Sequence, residues 1–312
     1  MTAPSSTTSE SATKPVWLTL APVIFLLLWS GGYPSMKIGI QYADPFMLLL
    51  LRYFLIVVVL GPVFLIMRPP LPSTGRQWLH LAITGLLLQV FYFSLCYWSV
   101  ALGLSAGALA LILALQPILV GLFAPWSTAE RVTVLHWVGL VLGTIGAAVV
   151  IASRATVEAT SVLGIASALG ALLAITAATL YEKRFGSNHH PVTANLVQCI
   201  VAAVTMFPIA WFLGDMHVEW SLPLAGVLAY LVIANSLIAI TLLLILVRRG
   251  EASKVSALFF LVPPVAAIQL WVLLGETMPL IAWFGMIIAT IGVALVTNPR
   301  ARAPKPAEPP KV

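Results

Sequence analysis

The chain has 312 residues, of which 61% are hydrophobic and only 8% charged, with a net charge of +6 and a mean hydropathy of +1.04. A water-soluble globule of this size cannot hide that much apolar surface, so lipid must be the solvent and the soluble enzyme classes are excluded. The basic residues lie scattered between apolar runs and not in one patch, which argues for membrane orientation and against a nucleic-acid partner.

Residues 1–15 are rich in Ser and Thr and read as a disordered tail, as does the Pro-rich stretch 298–312. Between them, apolar runs fall at about 17–40, 45–67, 77–100, 105–124, 132–152, 162–185, 191–213, 222–247, 251–274 and 279–297. Each approaches the roughly 20 residues that a helix needs to cross the hydrocarbon core. None shows the period-2 alternation of a barrel strand, so the expected fold is an all-α polytopic membrane protein with ten transmembrane helices. The first run is too long for a signal-peptide core and has no small-residue cleavage site behind it, so it is retained as a mature helix.

In the first run Ser30, Tyr33 and Lys37 stand at i, i+3 and i+7 on one helical face, with Trp29 adjacent. Polar groups are costly against acyl chains, so this face is expected to line a substrate path. The competing reading is interhelical hydrogen bonding by Ser30 and Tyr33, with Lys37 snorkelling to the headgroups. Arg52, inside the start of the second run, is expected to reach Asp44 or a lipid headgroup. The third run carries Gln89, Tyr92, Phe93 and Cys96 as one wall. An amide flanked by aromatics suits a small polar solute with an apolar body, though one amide bond between helices explains Gln89 almost as well. Pro117 in the fourth run interrupts the helical ladder and is read either as a flexing point of a gate or as a fixed bend. Glu130 precedes the fifth run as ordinary helix-end chemistry, and Gly139 and Gly146 give that run a close-packing face, available for dimerisation.

The sixth run repeats the polar stripe as Thr176, Thr179 and Lys183, the eighth carries Asn235 and Ser236, and the ninth has Pro263. Glu276 precedes the tenth run, which bears Gly285 and Gly292. Cys96 and Cys199 fall inside spans and read as small buried hydrophobes, not as a disulfide. These echoes are one relation. A single ungapped shift of 146 residues carries Ser30 onto Thr176, Lys37 onto Lys183, Arg52 onto Gln198, Gln89 onto Asn235, Pro117 onto Pro263, Glu130 onto Glu276 and Gly146 onto Gly292. The chain is therefore two copies of a five-helix unit, residues 16–152 and 162–297. An odd number of spans per copy makes them an inverted pair, the geometry of alternating access.

With the N-terminus in the cytoplasm, the loops on that side hold Arg68, Arg76, Arg131, Lys183, Arg184, Arg248, Arg249 and Lys254, and the other side keeps only Lys37, Arg52 and Arg154, so both termini are expected in the cytoplasm. The acidic residues all lie in loops, tails or near span ends, and the histidines are peripheral. Without a mid-membrane titratable group, uncoupled movement down a gradient is expected, with no metal and no cofactor; no nucleotide-binding loop or metalloprotease motif is present.

The segments LLWSGGYPSMKIG, ALGLSAGALALILALQP with AERVTVLHWVGLVLGTIG, and RRGEASKVSALFFLVPPVAAIQLWVLLGETMPLIAWFGMIIATIG resemble the two EamA repeats of the drug/metabolite transporter superfamily, over about residues 16–297. Within it the chain is similar to the YddG-like amino-acid exporters. The resemblance implies a ten-helix basket around a central cavity and export of small metabolites across a bacterial inner membrane. The related four-span carriers use a glutamate in their first helix, and none stands near Ser30 here. The expected function is thus a facilitative exporter of aromatic or broadly neutral amino acids, working as a monomer or homodimer. The alternatives are a proton-coupled carrier of other metabolites or cationic drugs and a non-transporting sensor or assembly subunit.

Overall fold

The structure is a computed structural model and describes residues 16–104, 106–127, 133–152, 161–186, 189–249, 252–274 and 279–297. The two expected tails, Glu130 and Glu276 lie outside the described residues. Regular structure among the described residues is helical, apart from one isolated antiparallel bridge between Ala43 and Val218. Among the described residues six helical stretches are long and apolar enough to cross a bilayer: Pro45–Met67, Gly75–Ala101, Val162–Phe185, Pro191–Leu213, Leu222–Arg249 and Leu280–Thr297.

The elements of the first repeat are α1 (Val16–Ser30), α2 (Gly32–Gly39), α3 (Pro45–Met67), α4 (Gly75–Gly85), α5 (Phe93–Ala101), α6 (Ala106–Leu113), α7 (Gln116–Ser127) and α8 (Val134–Ala152). Those of the second are α9 (Val162–Phe185), α10 (Pro191–Leu213), α11 (Leu222–Ala229), α12 (Thr241–Arg249), α13 (Ala252–Ala257), α14 (Val262–Leu274) and α15 (Leu280–Thr297). Equivalent starts are capped alike: Asp44 accepts from the backbone N–H of Phe46 and Met47 at 2.9 and 3.0 Å, and its repeat mate His190 accepts from that of Val192 at 3.3 Å, each with Pro at the first helical position.

The interruptions are duplicated too. α4 runs into α5 through a π-helical segment, Leu86–Tyr92, and α11 into α12 through another, Tyr230–Ile240. A π turn widens the backbone ladder and frees carbonyls to side chains, as π turns at functional sites often do. Ser236 Oγ donates to the Leu231 carbonyl at 2.7 Å, and the Tyr53 hydroxyl donates to that of Gln89. Before Pro117 the helix breaks between α6 and α7, and before Pro263 it tightens into the 3-10 turn Leu258–Leu261, because neither proline has an N–H for the turn behind it.

The tightest packing joins α8 to α15. A Cβ on Gly146 would lie 2.2 Å from the Ala289 nitrogen, and one on Gly292 would lie 2.4 Å from the Gly143 nitrogen, so these backbones touch as only small residues permit. The two glycine faces are therefore used against each other within one chain, which corrects their reading as a dimerisation surface. Large apolar residues such as Leu65, Ile66, Val134, Phe212 and Leu222 stand exposed on the outside of the bundle, as a lipid-facing surface requires.

Candidate functional site

Among the described residues, one cavity lies toward one end of the bundle and another toward the opposite end. The first depends on the Trp29-Ser30-Gly31-Gly32-Tyr33-Pro34 stretch, where α1 stops and α2 begins. Side chains from the second π segment press onto this break: a Cβ on Gly31 would fall 2.1 Å from the Tyr230 oxygen, and one on Gly32 would fall 3.0 Å from Asn235 Nδ2. The glycines let Tyr230 and Asn235 donate to the Leu28 carbonyl at 2.8 and 3.4 Å, while Gln269 donates to that of Leu27 at 2.8 Å. The result is a cavity walled by Trp29, Tyr33, Tyr92, Phe93 and Tyr97, with Gly32, Met36, Arg52, Cys96, Leu231 and Asn235 completing it. Trp29 is held by Phe25, Phe93 and Phe259, with ring centroids 5.3, 6.1 and 5.4 Å away.

Arg52 supplies the charge of this cavity and is fully buried. Its Nε donates to Ser236 Oγ and its Nη2 to Asn235 Oδ1, each at 2.8 Å, and its guanidinium lies 4.2 Å from the centre of the Phe93 ring. Asp44 is engaged in capping α3, so the expected Asp44 or headgroup partner is corrected: Arg52 turns inward and is held by the other repeat. The Tyr97 hydroxyl of the same wall lies close to the guanidinium, and neither it nor Nη1 completes a well-formed hydrogen bond. A buried guanidinium with open donors, an aromatic face and no carboxylate partner among the described residues is a ready anion acceptor.

The second cavity is lined by Thr84, Leu88, Ala178, Thr179, Glu182, Leu243, Leu244 and Val247. Four of these are repeat mates of first-cavity residues: Ala178 of Gly32, Thr179 of Tyr33, Glu182 of Met36 and Leu243 of Tyr97. Glu182 is buried and paired with Arg248 Nε, and Arg248 Nη1 donates to the His189 carbonyl at 2.6 Å. Burial first, then the Arg248 charge, holds the His189 imidazole below its usual range, with Glu182 opposing.

The expected polar stripes do not survive as stripes. The break at Gly31 separates Ser30, which donates to the Val262 carbonyl at 3.3 Å, from Tyr33, which faces the first cavity, and leaves Lys37 exposed near the bundle end. Thr176 and Thr179 donate to the carbonyls of Leu172 and Ile175 at 2.7 and 2.8 Å in their own helix. Thr179 reaches the second cavity, whereas Thr176 borders a lateral groove with Phe123 and Trp126. Lys183 donates to the Arg248 carbonyl at 3.4 Å. Trp29, Tyr33, Tyr92, Phe93 and Asn235 converge on the first cavity, Ser236 stands behind it through Arg52, and Gln89 is buried in the first π segment with both amide atoms unpaired. Pro117 and Pro263 are buried at the helix breaks and line neither cavity. Sequence reasoning missed Arg52, Tyr97 and Glu182 as cavity residues. For Arg52 the signal was its cost inside a span; for the other two none stood out. Cys96 and Cys199 are buried and free, and no grouping of three or more His, Cys, Asp or Glu residues fit to hold a metal is found among the described residues.

The sequence profile of the EamA-like transporter family matches residues 15–152 and again residues 162–298. An uncharacterized transporter of Bacillus subtilis, YvbV, is 26% identical over 288 residues, which cover 90% of this chain and 92% of that protein. A Salmonella typhimurium protein named as a probable amino-acid metabolite efflux pump is 24% identical over 283 residues, 87% of this chain and 91% of its own. A solved crystal structure superposes with a TM-score of 0.75 at 21% identity, covering 90% of this chain and 97% of that one, a likeness of fold.

Proposed function

Because the chain belongs to the EamA-like transporter family, and is a membrane transporter on that ground, we propose that it exports amino acids, aromatic or broadly neutral ones, by uncoupled alternating access. The observation that carries this reading is Arg52: a buried guanidinium with an open Nη1, set among Trp29, Tyr92, Phe93 and Tyr97. A carboxylate on Arg52 with an apolar side chain against the rings satisfies both halves of that chemistry. The name of the Salmonella relative points the same way.

In this reading the chain crosses a bacterial inner membrane ten times as two inverted five-helix units, with both termini in the cytoplasm. The end bearing Arg68, Arg76, Lys183, Arg184, Arg248 and Arg249 is the cytoplasmic one. The second cavity then faces the cytoplasm and the first the exterior, and substrate passes from one to the other as the halves exchange shape. The substrate path comprises Trp29, Tyr33, Arg52, Tyr92, Phe93, Tyr97 and Asn235, with Ser236 holding Arg52 and Thr179 at the cytoplasmic side.

A proton-coupled carrier is the second reading, favoured by one observation: buried Glu182 at the second cavity has an oxygen without a hydrogen bond. The ion pair with Arg248 argues against it by giving that carboxylate a fixed partner. Purified protein in liposomes preloaded with labelled amino acids tests both. Flux above empty liposomes that survives an uncoupler supports the uncoupled exporter. No flux rejects export of amino acids, and flux abolished by the uncoupler moves the mechanism to Glu182.

A further inference from the structure

The 146-residue shift that relates Arg52 to Gln198 also relates Gln89 to Asn235. The pair that holds the guanidinium, Arg52 on α3 with Asn235 in the second π segment, thus has a mirror: Gln198 on α10 with Gln89 in the first π segment. The two pairs are in opposite conditions. Arg52 reaches Asn235 and Ser236 at 2.8 Å each. Gln89 and Gln198 are fully buried, and none of their four side-chain polar atoms has a hydrogen-bond partner. They are not distant: a Cβ on Gly85, four residues before Gln89, would lie 3.0 Å from Gln198 Cα.

Buried amides with every group unpaired carry an uncompensated desolvation cost, and native proteins rarely keep them without a reason. An inverted pair of repeats supplies the reason. When the halves exchange shape, each takes the conformation of the other, so a contact made by one pair in one state is made by its mirror in the next. We infer that Gln89 and Gln198 are positioning residues that bond to each other in the opposite-facing state, where Arg52 is released from Asn235 and Ser236. The inference rests on the alternating-access reading and adds to it which contact stabilises each face. The exchange is unequal, since a charge-assisted contact on one side is traded for a neutral amide pair on the other. The Arg52 donors freed by it are available to a substrate carboxylate, so that occupancy of the cavity offsets the weaker mirror contact. Val90 occupies the position equivalent to Ser236, so the amide pair lacks a third member.

Repeat mates Tyr33 and Thr179 line the two cavities and serve as reporters. In a background with Cys96→Ala and Cys199→Ala, Tyr33→Cys or Thr179→Cys is labelled with an impermeant maleimide in proteoliposomes of known orientation. Gln198→Leu removes the mirror contact and favours the present state; Arg52→Gln removes the present contact and favours the other. The two are expected to move the ratio of Tyr33→Cys to Thr179→Cys labelling in opposite directions, each by about threefold or more. Gln198→Leu also slows flux, and Gln198→Asn, which retains an amide, restores part of it. If Gln198→Leu fails to fold, Gln89→Leu carries the same expectation. Shifts in the same direction, or none, overturn the exchange even where the unmodified chain transports; absence of flux in the unmodified chain strikes the export reading instead.

Discussion

The two cavities occupy equivalent places in a duplicated frame, yet their linings have parted. At mated positions the first has Gly32, Tyr33, Met36 and Tyr97, the second Ala178, Thr179, Glu182 and Leu243. The first is aromatic and carries a guanidinium with unfilled donors; the second is aliphatic and carries a carboxylate tied to Arg248. Duplication has kept the proline breaks, the π segments and the caps, and has let the walls diverge. Under the proposed export, such asymmetry would let a substrate be held on one side and passed through the other.

The largest expected difference between mates is in stability. Glu182→Leu leaves Arg248 buried without its partner and is expected to cost about 3–5 kcal/mol, read as a lower melting temperature in detergent, with Arg248→Met in the same chain recovering much of it. The mate Met36→Leu conserves volume and chemistry and is expected to cost less than about 1.5 kcal/mol. Equal losses at the two positions would break the contrast drawn between the cavities.

Next comes Arg52→Lys, which keeps the charge but not the planar fork that reaches Ser236 and Asn235. Amino-acid flux is expected to fall about tenfold or more, about 1.4 kcal/mol. Flux within twofold of the unmodified chain would remove the guanidinium from recognition. Tyr97→Leu gives the first cavity the residue found in the second and is expected to lower the preference for aromatic over aliphatic amino acids about tenfold by competition in the liposome assay. An unchanged preference would place selectivity elsewhere.

The smallest effect is one of pH at the second cavity's end. His189 is held below its ordinary value of 6.5 by burial and by Arg248, with His80 adding and Glu182 opposing. The folded state therefore favours neutral imidazole; its contribution is full above pH 6.5 and is lost as pH falls through the lower folded value. Melting temperature is expected to drop modestly between pH 7.5 and 5.5, and His189→Ala, which retains the carbonyl that binds Arg248, to flatten part of that drop. A drop of the same size in the variant would assign it to other groups.

Much of the wall was legible before any coordinates. Trp29, Tyr33, Tyr92, Phe93 and Asn235 stood out because polar and aromatic residues amid aliphatic spans have few places to go, and all five converge on one cavity. The stripe through Ser30, Tyr33 and Lys37 misled because i, i+3, i+7 spacing assumes an unbroken helix, and Gly31 ends one. Arg52 misled because its nearest acid in sequence, Asp44, is already bonded to the backbone. Ser236 and Asn235, some 180 residues away, hold it instead.

Apolar content, run length and the 146-residue repeat determined by themselves a lipid-embedded helical protein in two copies, since backbone groups in lipid must be satisfied internally and the runs lack the alternation of a barrel strand. Only the tertiary structure decided which side chains meet. The π segments, the Gly31 break and the contact of α8 with α15 arise where one helix makes room for another, and such close approaches depend on residues far apart in the chain. For the same reason a buried arginine found its partners in the other repeat, while the mirrored glutamines were left buried and unbonded.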